Sequence, residues 1–152
     1  MQLFFLRHGK ADWPDWQKPD DERPLTKPGR KEVRAVAQFL VRLKARPDLI
    51  LTSPLPRAVQ TAEIAAEHLE TLCVEERLLG PGFGLPELVR LQKKYAERSL
   101  MLVGHEPDFS GTIAALMNGR IKLAKAGVAM VELDAPDRGR LRWLFPPRVV
   151  RA

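Results

Sequence analysis

An α/β fold is predicted, a three-layer sandwich with a mostly parallel central sheet and helices on both faces. Two observations predict it. Short apolar runs alternate along the chain with segments of helical periodicity, and these runs are apolar at consecutive positions, as strands buried on both faces require. The turn-rich segment DAPDRG then joins the last two runs, which adds an antiparallel C-terminal hairpin and makes the last strand antiparallel.

The strand runs are residues 2–6, 49–52, 100–103, 128–133 and 141–145, with 72–74 as a weaker candidate. The first helix lies in PGRKEVRAVAQFLVRLKA, where Val33, Val36, Ala37, Leu40 and Leu43 recur at intervals of three and four with Arg and Lys opposite. Pro28 and Gly29 suit its first turn, with Thr26 or Lys27 just before it. PRAVQTAEIAAEHLE repeats the pattern through Val59, Ala62, Ala66 and Leu69, and LPELVRLQKKYAE and SGTIAALMNG supply two more helices.

Composition narrows the class. The chain has 152 residues, 45% of them hydrophobic, and its 13 prolines are scattered. That predicts a single domain over residues 1–152 with a substantial core. No basic residue precedes the four-residue apolar run at Leu3 to Leu6, so no signal peptide is expected. No run approaches the roughly 18 apolar residues of a membrane span. One cysteine, Cys73, cannot form an internal disulfide. It reads as a small core residue and fits a cytoplasmic protein. The 25 basic residues exceed the 19 acidic ones, giving +6, which suits an anionic partner. They are spread along the chain without aromatic interleaving, which argues against nucleic acid. A monomer without membrane contact is expected.

Three polar signals follow strands. Arg7-His8-Gly9 ends the first, Ser53-Pro54 and then Arg57 follow LILT, and Gly104-His105-Glu106-Pro107 follows LMLV. Parallel sheets bind ligands beyond the carboxyl ends of their strands, so two histidines and two arginines are delivered to one rim. Each alone reads as a solvated or hydrogen-bonded residue, but together they suit a phosphoryl dianion. Arg7 and Arg57 each offer a planar fork to phosphate oxygens. The start of the helix after Pro56 favours an anion. One imidazole can attack phosphorus while the other donates to a nonbridging oxygen. Gly9 lets the backbone approach the reacting centre and helps orient the ring. A metal is not expected, because compact acid and His spacing is lacking and two arginines repel a cation. His68 reads as a surface or boundary residue, and Trp143 as strand packing.

LFFLRHGKA, RPLTKPG, LTSPLPRAVQTAE and VGHEPDFS together resemble the histidine phosphatase superfamily, which includes the phosphoglycerate mutases. Within it the chain is most similar to the short SixA-type phosphohistidine phosphatases. The resemblance runs from Leu3 to about Ile113 and rests on four motifs in family order. It implies a phosphoglycerate mutase-like fold, His8 as the nucleophile that becomes phosphorylated, and His105 as the second histidine. Arg7 and Arg57, with Gly9 from the same signature, would bind the phosphate, and RPLT would be structural. It implies no cofactor and a phosphorylated protein as substrate, such as a phosphotransfer domain.

Two departures bear on the substrate. The interval ETLCVEERLLGPGFGLPELVRLQKKYAERSL is short and lacks the acid-bearing insertion of the mutases. Glu75, Glu76, Glu87 and Glu106 are conceivable proton donors. Lys10-Ala11 also stands where many mutases have Glu-Ser. The alternatives are a phosphatase of small phosphoesters and a silent phosphoprotein-binding module. Trp13 and Trp16, in a Pro- and Asp-rich loop, either pack that loop or form a lip for the partner.

Overall fold

The computed structural model describes residues 1–151. Strands β1 (Gln2–Arg7), β2 (Leu49–Thr52), β3 (Cys73–Glu75), β4 (Ser99–Gly104), β5 (Val128–Ala135) and β6 (Arg138–Phe145) form one sheet in the order β3-β2-β4-β1-β5-β6. The first four are parallel. β5 runs against β1 and β6 against β5. The hairpin is therefore antiparallel, but the reversal enters at β5, and β6 again runs with β1.

Alternate strand residues divide the core between two faces. Phe4, Leu6, Ile50, Met101 and Val103 point to one face. There they meet α1 (Lys27–Arg42) through Val33, Val36, Ala37 and Leu40, and α2 (Pro56–Leu69) through Ala58, Ala62 and Ala65. Leu3, Phe5, Leu51, Leu100 and Leu102 point to the other. They meet α3 (Leu85–Lys94) through Leu88 and Leu91, and α4 (Asp108–Met117) through Phe109, Ile113 and Leu116. Burial on both sides explains why β1, β2 and β4 read as unbroken apolar runs. Among the described residues no helix is long and apolar enough to cross a membrane.

Local chemistry sets the helix starts. Thr26 is the N-cap of α1, its hydroxyl accepting from the Gly29 amide at 3.0 Å, with Pro28 in the first turn. The helix ends at Arg42, so Leu43 falls outside its apolar stripe and is exposed. The buried face of α2 also differs from the apolar periodicity. Val59, Ala66 and Leu69 are only half-buried, while Arg57, Ala58, Thr61, Ala62 and Ala65 are buried. Two polar residues occupy the inward stripe, and a purely apolar pattern passes over them.

Candidate active site

Strand register builds the site. Arg7 pairs with Gly104, so β1 and β4 end level and their next residues, His8 and His105, stand side by side. The His8 amide donates to the Gly104 carbonyl at 3.1 Å, and the ring centroids lie 5.2 Å apart. Thr52 pairs with Val103, which places Ser53, just past β2, level with Gly104, and Arg57 follows in the first turn of α2. Gly104 leaves room for this packing, since a Cβ there would lie 2.7 Å from the Phe109 ring. The structure thus brings together all five residues singled out from the sequence: Arg7, His8, Gly9, Arg57 and His105.

His8 is 8% exposed, and its Nδ1 lies 2.7 Å from the Gly9 carbonyl oxygen. A carbonyl can only accept, so Nδ1 carries the hydrogen and Nε2 carries the lone pair. Burial pushes the His8 pKa down to about 3, against the opposing bond to Gly9 and with help from His105, Arg57 and Arg7. The ring is neutral at pH 7 with its lone pair on Nε2.

His105 takes the opposite tautomer. Its Nε2 lies 2.7 Å from the hydroxyl of Ser53, which is fully buried and also accepts from the Leu55 amide. The buried hydroxyl hydrogen needs an acceptor, and Nε2 is the one within reach. Nε2 therefore accepts, and Nδ1–H remains a buried donor without a partner. Burial, then Arg57, lowers the His105 pKa to about 4.

The arginines add two more such donors. Arg57 is 7% exposed and donates from Nη1 to the Asp20 carbonyl at 3.2 Å. Arg7 donates from Nη1 to the Leu123 carbonyl at 3.0 Å. Nε of each is buried without a partner. Burial pushes both guanidinium pKa values down, yet a guanidinium stays charged in proteins. Three unsatisfied donors, two of them cationic, belong to residues around a neutral imidazole with a free lone pair. A tetrahedral oxyanion has the charge and the acceptor oxygens that such a set of donors lacks.

The sequence model of the histidine phosphatase superfamily (branch 1) matches residues 3–110. The chain belongs to this superfamily. Its relatives include the phosphohistidine phosphatase SixA of Escherichia coli K12, 30% identical over 97% of this chain and 94% of that protein. An uncharacterized protein of Picosynechococcus is 38% identical over 84% of this chain and 82% of its own length. Among solved structures, the protein histidine phosphatase SixA complexed with tungstate superposes with a TM-score of 0.86 at 28% identity, covering 99% of both chains.

This histidine phosphatase supports its site with residues that sequence reasoning did not single out. The Gly9 amide donates to Thr61 Oγ1 at 3.0 Å, and the Thr61 hydroxyl donates to the Arg57 carbonyl at 2.7 Å. Thr61 therefore holds the His8–Gly9 peptide, next to the Gly9 carbonyl that sets the His8 tautomer. Its four-residue spacing from Arg57 on a helix is the signal that could have found it. A Cβ on Gly9 would lie 2.6 Å from Val33 Cγ2, so packing against α1 requires glycine there.

The loop after β1 folds across the start of α2. Asp20 places its carboxylate 3.8 Å from Arg57 and 2.9 Å from Arg23. Arg23, from RPLT, also donates to the Ala11 carbonyl at 2.7 Å, a structural contact. Trp13 and Trp16 satisfy their indole N–H groups on the Pro24 and Pro19 carbonyls, with their rings 6.1 Å apart. Both pack the loop, and Trp13 still leaves 39% of its surface exposed.

The four glutamates are otherwise engaged or displaced. Glu76 is 3% exposed and accepts from the Leu78 amide, Lys94 and Tyr95. Glu87 accepts from the Gly84 amide at the start of α3, and Glu75 is exposed on the edge strand. Glu106 lies beside His105 in sequence and near enough to Arg7 to act on its charge, but both its oxygens accept from Ser110. Cys73 is half-buried, and burial followed by Glu63 and Glu75 pushes its thiol up to about 11, which leaves it unreactive. His68 sits half-buried with Nδ1 donating to the Ile64 carbonyl, as a boundary residue does. Trp143 packs on Phe4 and Phe145.

Proposed function

We propose that this protein is a metal-independent phosphohistidine phosphatase that removes phosphate from a histidine on a protein. The observation that carries this reading is the fixed His8 tautomer beside three unsatisfied buried donors. The SixA relative solved with an oxyanion, tungstate, supports the same chemistry.

In the first step the His8 Nε2 lone pair attacks phosphorus in line. The substrate N–P bond breaks and its electron pair leaves on the departing imidazole. His8 becomes a phosphoimidazolium, whose positive charge the Nδ1–H···O=C bond to Gly9 favours. Arg7, Arg57 and the His105 Nδ1–H bear on the three nonbridging oxygens as charge redistributes. In the second step water attacks the same phosphorus. Its proton goes to solvent, the His8–P bond breaks, and the ring returns neutral with orthophosphate released. The two guanidiniums supply positive field that a divalent ion supplies in other phosphoryl-transfer sites.

The leaving group selects the substrate. An alkoxide needs a proton in the transition state, and the four glutamates are held elsewhere or by Ser110. A phosphoimidazolium departs as a neutral ring without such a donor. The test compares a phosphohistidine-bearing phosphotransfer domain with alkyl and aryl phosphates in the presence of EDTA. N–P cleavage should exceed alkyl ester cleavage at least roughly tenfold in kcat/KM, about 1.4 kcal/mol in barrier, with aryl phosphates between. Faster hydrolysis of 3-phosphoglycerate, or turnover that needs an added divalent ion, would overturn the reading.

A further inference from the structure

Beyond β3 the chain makes a 3₁₀ turn, Arg77–Leu79, and then returns along α3. Between them lies an open cleft of about 760 Å³ lined by Glu76, Arg77, Leu78, Arg90, Lys93 and Lys94. Four cations face one carboxylate, and that carboxylate is already used. Glu76 is buried and holds the Leu78 amide at 2.9 Å, Tyr95 at 2.9 Å and Lys94 at 2.7 Å. It braces the wall of the cleft and neutralises Lys94 alone. Among the described residues Arg77, Arg90 and Lys93 have no acidic partner within ion-pair distance. Two exposed arginines of β6 differ, since Arg140 and Arg142 pair with Glu132 and Asp134.

The cleft begins at the carboxyl edge of the sheet, where the imidazoles lie, and runs back along α3 toward the amino end of β4. Thr52 pairs with Glu75, so Glu76 stands level with Ser53, and Ser53 bonds His105. From β1 across β4 and β2 to β3 is three strand spacings, about 14 Å from the level of His8. A free phosphohistidine held at His8 does not span that distance, whereas a folded protein presenting one does. The edge is also electrically asymmetric. The loop over α2, on one face, carries Asp15, Asp20, Asp21 and Glu22, all exposed, while the cleft by α3 on the other face carries the unpaired cations.

We propose that this cleft docks an acidic patch of the phosphorylated protein substrate, orienting the partner so that its phosphohistidine meets His8. The inference rests on the protein-phosphohistidine reading above. Complementary charge at this range raises the association rate and fixes orientation without touching the chemistry. The docking contribution is confined to protein substrates and weakens with salt.

The experiment compares wild type with the double variants Arg90→Glu/Lys93→Glu and Arg90→Gln/Lys93→Gln, using a histidine-phosphorylated phosphotransfer domain with an acidic surface and, separately, phosphoimidazole. The charge-reversal pair should lower kcat/KM for the protein about tenfold, through KM, and abolish its salt dependence. The glutamine pair should show a smaller loss, and phosphoimidazole turnover should be unchanged in both. Should the reversal pair fail to fold, the glutamine pair carries the test. Protein turnover unchanged in both variants would overturn the docking inference alone. So would parallel loss on phosphoimidazole, or charge-dependent binding of a single-stranded RNA with protein turnover intact. Wild type that cleaves phosphoimidazole but no phosphohistidine protein would instead refute the proposed substrate, and the docking inference with it.

Discussion

Two sets of cations, Arg7 and Arg57 at the carboxyl ends of the strands and Arg90 and Lys93 on α3, are set apart by burial. Arg7 and Arg57 sit at the tips of β1 and α2, with Nε groups sealed from water and unsatisfied. Arg90 and Lys93 stand in solvent on α3. A guanidinium aimed at an anion in a dry pocket forms charge-assisted bonds that water does not weaken, and its planar fork fixes where the oxygens lie. An exposed cation is screened within about 8–10 Å at ordinary salt. Identical formal charge is thus suited to chemistry in one place and to steering in the other.

The largest effect should follow from blunting the buried set. Arg57→Lys keeps the charge and loses the planar fork, together with the donor that reaches the Asp20 carbonyl. Steady-state kinetics on an aryl phosphate should show kcat/KM falling about a hundredfold or more, on the order of 2.7 kcal/mol. A loss no greater than that of a charge change on α3 would erase the distinction between the two regions.

A smaller effect tests the dryness of the pocket through pH. His8 and His105 titrate at about 3 and about 4 in the folded protein, and near 6.5 when unfolded. Below pH 6.5 the unfolded chain takes up protons that the native chain refuses. Stability is therefore full above about pH 6.5 and is lost as pH falls toward 4. The slope approaches about 1.4 kcal/mol per pH unit for each imidazole. Urea unfolding between pH 7 and 4.5 should show this slope in wild type and a shallower one in His8→Asn. Equal slopes would mean that the His8 ring is solvated.

The sheet was legible because strands buried on both faces are continuous apolar runs, and β2 falls where those runs place it. The candidate site was legible for a related reason. Parallel strands end at one edge, so Arg7-His8, Ser53 and Gly104-His105 were bound to meet there. Residues whose part depends on a particular bond were not legible. Thr61 reads as an ordinary helix residue until the Gly9 amide is seen on its hydroxyl. Glu76 reads as a free acid until its burial against Lys94 and Tyr95 makes it a brace. Asp20 lies 37 residues from Arg57, and only the folded loop brings them together.

We propose that His8 carries the phosphoryl group through Nε2, the nitrogen that the Gly9 carbonyl leaves free. Rapid-quench trapping with a ³²P-labelled phosphohistidine protein, followed by peptide mapping, locates the label. The label should appear on His8 as an acid-labile, base-stable phosphoramidate within one turnover, and His8→Ala should show neither label nor turnover. Label on His105, Ser53 or Cys73, or full turnover by His8→Ala, would rule out His8 as the phosphoryl carrier.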